Sequence, residues 1–324
     1  MSTTFEGPVT KEVTGQFRHQ ALFYSGGREL VARLLPFVSE GLQAGDKVLV
    51  ALSTPKLDAL RKALGPEANK LAFADMDSLG ANPARIIPLW SGFTEGLAPG
   101  QRARGVGEPI TAKRSPAELV ECQIHESLLN VAFADGPPFV LLCPYDTGLL
   151  GEAVVEEARC SHAFVTSGSQ PPVASQHFVG LEASGSLSGR DLPPAPPDAH
   201  LFRVDTSSVA LARHLVRLRG EEFGLHQSEA WDFALAAHEV IANSLKHAGG
   251  GELSLWAEDA SLICEVRDQG RFADPLAGRL RPEQASLTGR GLWMANQLCD
   301  LVQIRALSEG TVVRLHIRKH TAGR

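Results

Sequence analysis

Cysteine is scarce in this chain of 324 residues: there are five, at 122, 143, 160, 264 and 299, and no C-x-x-C pair among them. The odd number does not suit a disulfide framework, and the spacing excludes a zinc knuckle. Reduced, mostly buried thiols in a cytoplasmic protein are the expectation. Long apolar runs are missing too, and nothing approaches the ~18–20 residues of a membrane helix. The opening stretch MSTTFEGPVTKEVTGQF has no apolar core and carries acids, unlike a signal peptide. Positive charge is not in excess: 31 Lys and Arg face 37 Asp and Glu, for a net charge of −6. That balance argues against a protein that holds nucleic acid through its overall field. What is present is ordinary for a globular chain. Hydrophobic residues make up 44%, and the length suits about two domains.

The character of the chain changes after Leu181. The stretch EASGSLSGRDLPPAPPDAH is rich in Ser, Gly and Pro and has no apolar periodicity, so 182–199 reads as a linker. It separates a tail (1–14) and a first domain (15–181) from a second domain (200–324). Through Pro197 there are 16 basic and 21 acidic residues, and after it 15 and 16, so neither part is a basic module.

The first domain reads as α/β. Lys47–Ser53 (KVLVALS) and Phe139–Cys143 (FVLLC) are short apolar runs of the kind that form buried strands. Glu29–Gln43 has helical apolar spacing despite Pro36, and Lys56–Leu64 and Ser115–Ala134 read as further helices. Strands alternating with helices imply a mostly parallel sheet covered on both faces. The second domain reads as α+β. Ser207–Arg219 and Ser228–His247 are helices, with Ser228 as the expected N-cap of the second. Glu252–Trp256 and Leu262–Asp268 are strands, Leu287–Cys299 becomes a helix, and Leu301–Ala306 and Thr311–Ile317 form a closing hairpin.

Three segments of the second domain carry chemistry. In HEVIANSLKHA (238–248), Glu239 and Asn243 are four residues apart and share a helix face that His247 continues. A carboxamide oxygen suits Mg²⁺, and a carboxylate can order a hydroxyl. Asp268-Gln269-Gly270 ends a strand with a carboxylate that can accept from an exocyclic amine, beside a glycine that lets a flat ring approach. Thr288-Gly289-Arg290-Gly291-Leu292 opens a helix, whose free N–H groups favour an anion. Taken singly, these are a solvated stripe, a turn and a glycine pair. In this order and on these elements they resemble the asparagine box and glycine boxes of the GHKL ATPases, with the Bergerat sandwich fold. Within that superfamily, LTGRGLWMANQLCDLVQIRALSEGTVVRLHI is similar to the SpoIIAB/RsbW-type anti-sigma factor serine kinases, and to their actinobacterial branch.

The resemblance implies an ATP site. Asn243 would hold Mg²⁺ through the phosphates, Glu239 would be the general base, and Asp268 and Gly270 would receive adenine. His247, Thr288, Gly289, Arg290, Gly291 and Leu292 would line the rest, and 271–287 would form the lid. Phe272 stands where the family often has a second glycine, a departure that bears on turnover more than on nucleotide binding.

In the first domain, HQALFYSG, GLQAGDKVLVAL, RGVGEP, ECQIHESLLN and LLCPYDT resemble the MEDS sensory domain, which is related to RecA/KaiC-like P-loop folds. The P-loop itself is degenerate: the strand Lys47–Ser53 runs into Thr54-Pro55-Lys56 with no glycine cradle. Candidate ligand contacts are His19, Tyr24, Arg104, Glu108, Glu126, Tyr145, Asp146 and His162. The plain alternative is that they cap helices and tie loops. His19, His162 and Glu126 also offer metal-donor atoms, although a lone histidine is more often structural.

The resemblances together imply a cytoplasmic anti-sigma regulator. It would bind ATP and Mg²⁺, sequester a sigma factor and phosphorylate a serine of an anti-anti-sigma (STAS) partner, as a serine/threonine protein kinase. The sensory domain, with or without a small-molecule ligand, would tune it. No direct nucleic-acid or membrane contact is expected, and a homodimer is compatible. The alternatives are a non-catalytic ATP-binding partner switch and a histidine kinase, which would need a dimerising helical hairpin that the Pro-rich stretch does not supply.

Overall fold

The computed structural model describes residues 17–167, 171–282 and 289–319. The first sheet has seven strands in the order β3-β2-β4-β5-β1-β6-β7. They are β1 (Phe17–Tyr24), β2 (Lys47–Leu52), β3 (Ala72–Asp75), β4 (Ala103–Gly107), β5 (Phe139–Asp146), β6 (Phe164–Ser167) and β7 (Val173–Ala174). All pair in parallel except β6 with β7. The intervening helices are α1 (Gly26–Gln43), α2 (Thr54–Leu64), α3 (Met76–Leu79), α4 (Ile86–Glu95), α5 (Pro116–Ala132), α6 (Glu152–Ser161) and α7 (Leu181–Ser188).

Strand alternation divides the core in two. From β1 and β2, Ala21, Phe23, Leu49 and Ala51 join Trp90 and Leu128 on one face of the sheet. Leu22, Tyr24, Val48 and Val50 join Leu30, Leu34 and Leu60 on the other. The first strand in chain order is β1, paired between β5 and β6, and sequence patterning passed over it. The turn that follows it is Ser25-Gly26-Gly27, not the turn after β2. Helix α7 is a second departure, since it lies inside the expected linker. Its Leu187 packs against the first core, and that packing outweighs the low intrinsic propensity of Gly185.

The second sheet is antiparallel, in the order β11-β12-β10-β9-β8. Its strands are β8 (His200–Val204), β9 (Gly251–Glu258), β10 (Ser261–Asp268), β11 (Leu301–Leu307) and β12 (Gly310–Arg318). Helices α8 (Val209–Phe223), α9 (Gln227–Ala248) and α10 (Arg290–Leu298) cover one face, where Phe233, Ala237 and Ile241 meet Cys264, Val266, Val313 and Leu315. The N-cap of α9 is His226 and not Ser228. His226 Nδ1 accepts from Ser228 N while the Glu229 carboxylate accepts from His226 N, a reciprocal capping box. No helix among the described residues is long and apolar enough to cross a membrane.

The other face of this sheet is polar and buried. Glu265 pairs with Arg314, whose Nη2 also donates to Pro193 O at 2.6 Å. Arg305 donates to Glu121 of α5 at 2.7 Å, and Arg318 to Glu118 at 2.7 Å. The first domain thus covers the sheet face that its own helices leave open. A second contact lies at the end of α10. Asn82 Nδ2 donates to Asn296 O and Oδ1, and Arg85 donates to the carbonyls of Asn296, Gln297 and Cys299 at 2.7–3.0 Å. These carbonyls are the orphan acceptors of a helix C-terminus, where a guanidinium also suits the dipole.

Candidate functional site

The three segments singled out in the second domain converge. Glu239 and Asn243 lie half-buried on adjacent turns of α9 and face the start of α10. A Cβ built on Gly291 would stand 2.7 Å from Glu239 Oε2 and 3.4 Å from Asn243 Nδ2. A side chain there would push on the Glu239 carboxylate. Gly289 is the N-cap of α10 at φ +80°, a left-handed turn that a side chain rarely adopts, and it offers no side chain to the free N–H groups behind it. Those N–H groups and the helix dipole favour an anion beside Asn243 and Glu239. Arg290 is exposed at this end, and Leu292 is turned inward against the second core. Thr288 lies outside the described residues.

Asp268 closes β10 on the same face as Cys264 and Val266. Its Oδ1 accepts from Gly270 N at 2.8 Å. Gly270 rests against the end of α9, near His247 and Ala248, and His247 itself is exposed. Thr311 pairs with Asp268 across the sheet, and its Oγ1 donates to Gly270 O at 2.8 Å. Thr311 is a candidate that sequence reasoning missed, because its place beside Asp268 exists only once β10 and β12 pair. The expected lid begins at Arg271. Its described part leans on the first domain: Leu276 packs against the first core, and Arg279 lies 3.6 Å from Glu121. Asn296 Nδ2 donates to Gly278 O at 3.0 Å.

The eight candidates of the first domain separate into groups. Tyr24, Glu108 and Asp146 stand at or just beyond the C-terminal ends of strands, where open α/β sheets bind ligands. Tyr24 Oη donates to Glu108 Oε1 at 2.5 Å, and Lys56 Nζ reaches both Glu108 oxygens at 2.7 Å. Lys56 was not expected, since its partner is 52 residues away. Asp146 accepts from Gly148 N. His19, Glu126 and His162 form a second, fully buried cluster. Glu126 Oε2 lies 3.1 Å from His19 Nε2 and 3.2 Å from His162 Nε2, and His19 Nε2 is 3.3 Å from Cys143 Sγ. Tyr145 is buried edge-on against the His162 ring. Arg104 joins neither group. It pairs with Asp46 at 2.7 Å and donates to Phe37 O, tying β4 to β2 and α1.

Comparison with known families decides what these domains are. Residues 18–163 match the model described as MEDS, the methanogen/methylotroph, DcmR sensory domain. Residues 202–317 match the model of the histidine kinase-like ATPase domain. The chain is a MEDS domain followed by a histidine kinase-like ATPase domain. No curated protein matches it. Among solved structures, the RsbU and RsbW domains of Rv1364c from Mycobacterium tuberculosis are 21% identical, with 40% of this chain and 35% of that chain covered and a TM-score of 0.31. The chain therefore spans about a third of that protein's length. The Acinetobacter baumannii histidine kinase AdeS is 13% identical, with 38% and 68% covered and a TM-score of 0.22.

Electrostatics distinguish the two MEDS groups. Burial, followed by the neighbouring His162, lowers His19 to about 4, so its imidazole is neutral at physiological pH. Burial pushes the Cys143 thiol well above its usual range, with Glu126 adding to the effect. In the strand-end group, burial raises Glu108 even though Lys56 opposes it. The ATPase domain fits its expected ligand on different grounds: the space left at Gly291, a carboxamide and a carboxylate beside a helix N-terminus, and Asp268 with Thr311 at the far end.

Proposed function

We propose that the ATPase domain binds ATP with Mg²⁺ and works as the kinase of a partner switch. In this reading it sequesters a sigma factor and phosphorylates a serine of a STAS partner, under control of the MEDS domain. The observation that carries the reading is the convergence of Glu239, Asn243 and Gly291. It sets a base, a metal-binding amide and an anion-favouring helix start around one space.

The roles follow from chemistry and position. Asn243 would hold Mg²⁺, which would supply neutralisation of the phosphate charge. The N–H groups behind Gly289 donate to the phosphates. Asp268 receives the adenine amine, with Thr311 fixing the neighbouring Gly270 carbonyl. Glu239 takes the proton of the incoming serine hydroxyl. Control by the MEDS domain rests on its hold on both ends of the site: the lid through Leu276 and Arg279, and α10 through Asn82 and Arg85. We further read the first sheet as RecA/KaiC-like with a degenerate loop. The first strand, β1, is followed by Ser25-Gly26-Gly27, with no lysine cradle. Tyr24, Lys56, Glu108 and Asp146 would then meet a small polar ligand.

The test is phosphotransfer from labelled ATP to a STAS partner by the full chain. Glu239→Gln is expected to keep ATP binding and lose at least about 100-fold in transfer rate, the size of a general-base contribution. Transfer that survives the change removes Glu239 from the chemistry. ATP binding without transfer in the unaltered chain makes the protein a non-catalytic switch, the alternative that Phe272 favours. Acid-labile phosphate on a histidine of the chain itself makes it a histidine kinase.

A further inference from the structure

We propose that His19, Glu126, Cys143 and His162 form a four-ligand site for a divalent transition-metal ion of the zinc class, inside the MEDS domain. One donor atom from each residue lies within 4.8 Å of all the others. The four residues come from β1, α5, β5 and the corner before β6, and none is more than 1% exposed.

The hydrogen bonds around the cluster fix where the protons are. Asn130 donates from Nδ2 to Ser161 O at 2.8 Å, and also points it at the carbonyls of Ser127 and Glu126. Its Oδ1 is therefore the atom that meets His19 Nδ1 at 3.3 Å, and His19 must donate from Nδ1. His162 Nδ1 faces the Ala158 carbonyl at 2.8 Å and must donate as well. A ring that carries a single proton is thus left with a bare lone pair on Nε2. Both Nε2 atoms lie within 3.2 Å of the same Glu126 oxygen, and His162 Nε2 makes no hydrogen bond there.

Two imidazole lone pairs, a carboxylate and a sulfur converging in a dry interior repel one another unless a positive centre lies between them. A single shared proton relieves one contact only. A metal ion relieves all four, with each Nδ1–H held by an oxygen acceptor as metal-bound histidines usually are. The donors select the ion. Imidazole with thiolate suits zinc, whereas Mg²⁺ and Ca²⁺ take oxygen ligands. Bonds of about 2.0–2.3 Å at tetrahedral angles place neighbouring ligands about 3.3–3.6 Å apart, close to the separations of 3.1, 3.2 and 3.3 Å seen here. Binding forms the Sγ–metal bond and releases the Cys143 thiol proton to water. The thiolate and carboxylate then balance the dication, leaving a neutral centre that tolerates burial. With four protein ligands the site is closed, so it pins the strands and α5 and does not bind a substrate.

The test is metal content and spectroscopy on the full chain. The purified protein is expected to retain about one zinc per chain through gel filtration. Cys143→Ser and Glu126→Gln are each expected to cut that by at least about 10-fold. Stripped with a chelator and refilled with cobalt(II), the unaltered chain should give tetrahedral ligand-field bands and a thiolate charge-transfer band. Cys143→Ser should lose the charge-transfer band even if the other three ligands still hold cobalt. If the variants do not fold, the unaltered chain decides alone, and X-ray absorption must find one sulfur at about 2.3 Å. Absence of zinc together with failure to take up cobalt, or a charge-transfer band that persists in Cys143→Ser, overturns the proposal.

Discussion

A methyl group at position 291 would stand 2.7 Å from Glu239 Oε2, so either the carboxylate or the helix start would have to move. Alanine favours a helix more than glycine does, so the fold itself should not suffer. Gly291→Ala is therefore expected to weaken ATP·Mg²⁺ binding by about 10–100-fold, the equivalent of about 1.4–2.8 kcal/mol, because the carboxylate must swing into the nucleotide space. The thermal midpoint should hold or rise. Calorimetric titration checks this, and unchanged affinity would mean that Glu239 swings clear at no cost. His316 supports a second prediction at this scale. Burial, then Arg314 and Arg318, lower it to about 4. An unfolded histidine titrates near 6.5, so below that pH the unfolded chain binds the extra proton. Stability should fall as the pH drops from 6.5 toward 4, by up to about 3 kcal/mol from this residue. Urea unfolding at both ends of that window should show a smaller loss in His316→Gln, and an equal loss would refute the assignment.

Helix α5 shows what sequence alone could and could not reveal about an element. Its start was legible because Ser115, Pro116 and Glu118 form a local capping box. Its function was not, because each buried carboxylate on it finds a partner far along the chain. Glu118 meets Arg318, Glu121 meets Arg305 and Arg279, and Glu126 meets His19 and His162. The same division holds elsewhere. Glu239 and Asn243 were legible as a pair because four residues make about one helical turn, and Gly289 with Gly291 because they open a helix. Thr311, Lys56 and Cys143 were not, since each meets its partners only once distant parts of the chain come together. Strand β1 was overlooked because its run FRHQALFY includes Arg18, His19 and Gln20, and the last two are polar residues that are nonetheless buried. Glu121 makes the argument testable. It is 1% exposed and lies between two buried guanidinium groups. Glu121→Gln leaves both without their carboxylate and is expected to cost about 3–5 kcal/mol. A melting temperature within the error of the unaltered chain would show that the arginines find other acceptors.

At the scale of the molecule, the two domains meet mainly through polar contacts, the kind that usually permits relative motion. What distinguishes this interface is the part of the ATPase that it holds. Among the described residues, the polar contacts of the MEDS domain bypass Glu239 and Asn243. They cap the far end of α10 through Asn82 and Arg85, while Leu276 and Arg279 of the lid rest against the first core and α5. Helix α10 has nine residues, so a shift at its C-terminus reaches the phosphate end across about 13 Å of rigid helix. The same α5 carries Glu126 five residues beyond Glu121, which puts the proposed metal and the lid contact on one element. A MEDS domain joined to an ATPase domain in this way can change the freedom of residues 271–282 without altering Glu239 or Asn243. The prediction is specific to that route. Asn82→Ala combined with Arg85→Ala removes the cap and leaves every nucleotide-site residue in place. Hydrogen exchange in the lid (271–282) and the last turn of α10 should then rise, about ten-fold for each 1.4 kcal/mol by which local opening becomes easier. Exchange in β9 and β10 should stay as it was. If lid and helix exchange is unchanged, the interface does not restrain the site. If all amides accelerate together, the interface supports only overall stability.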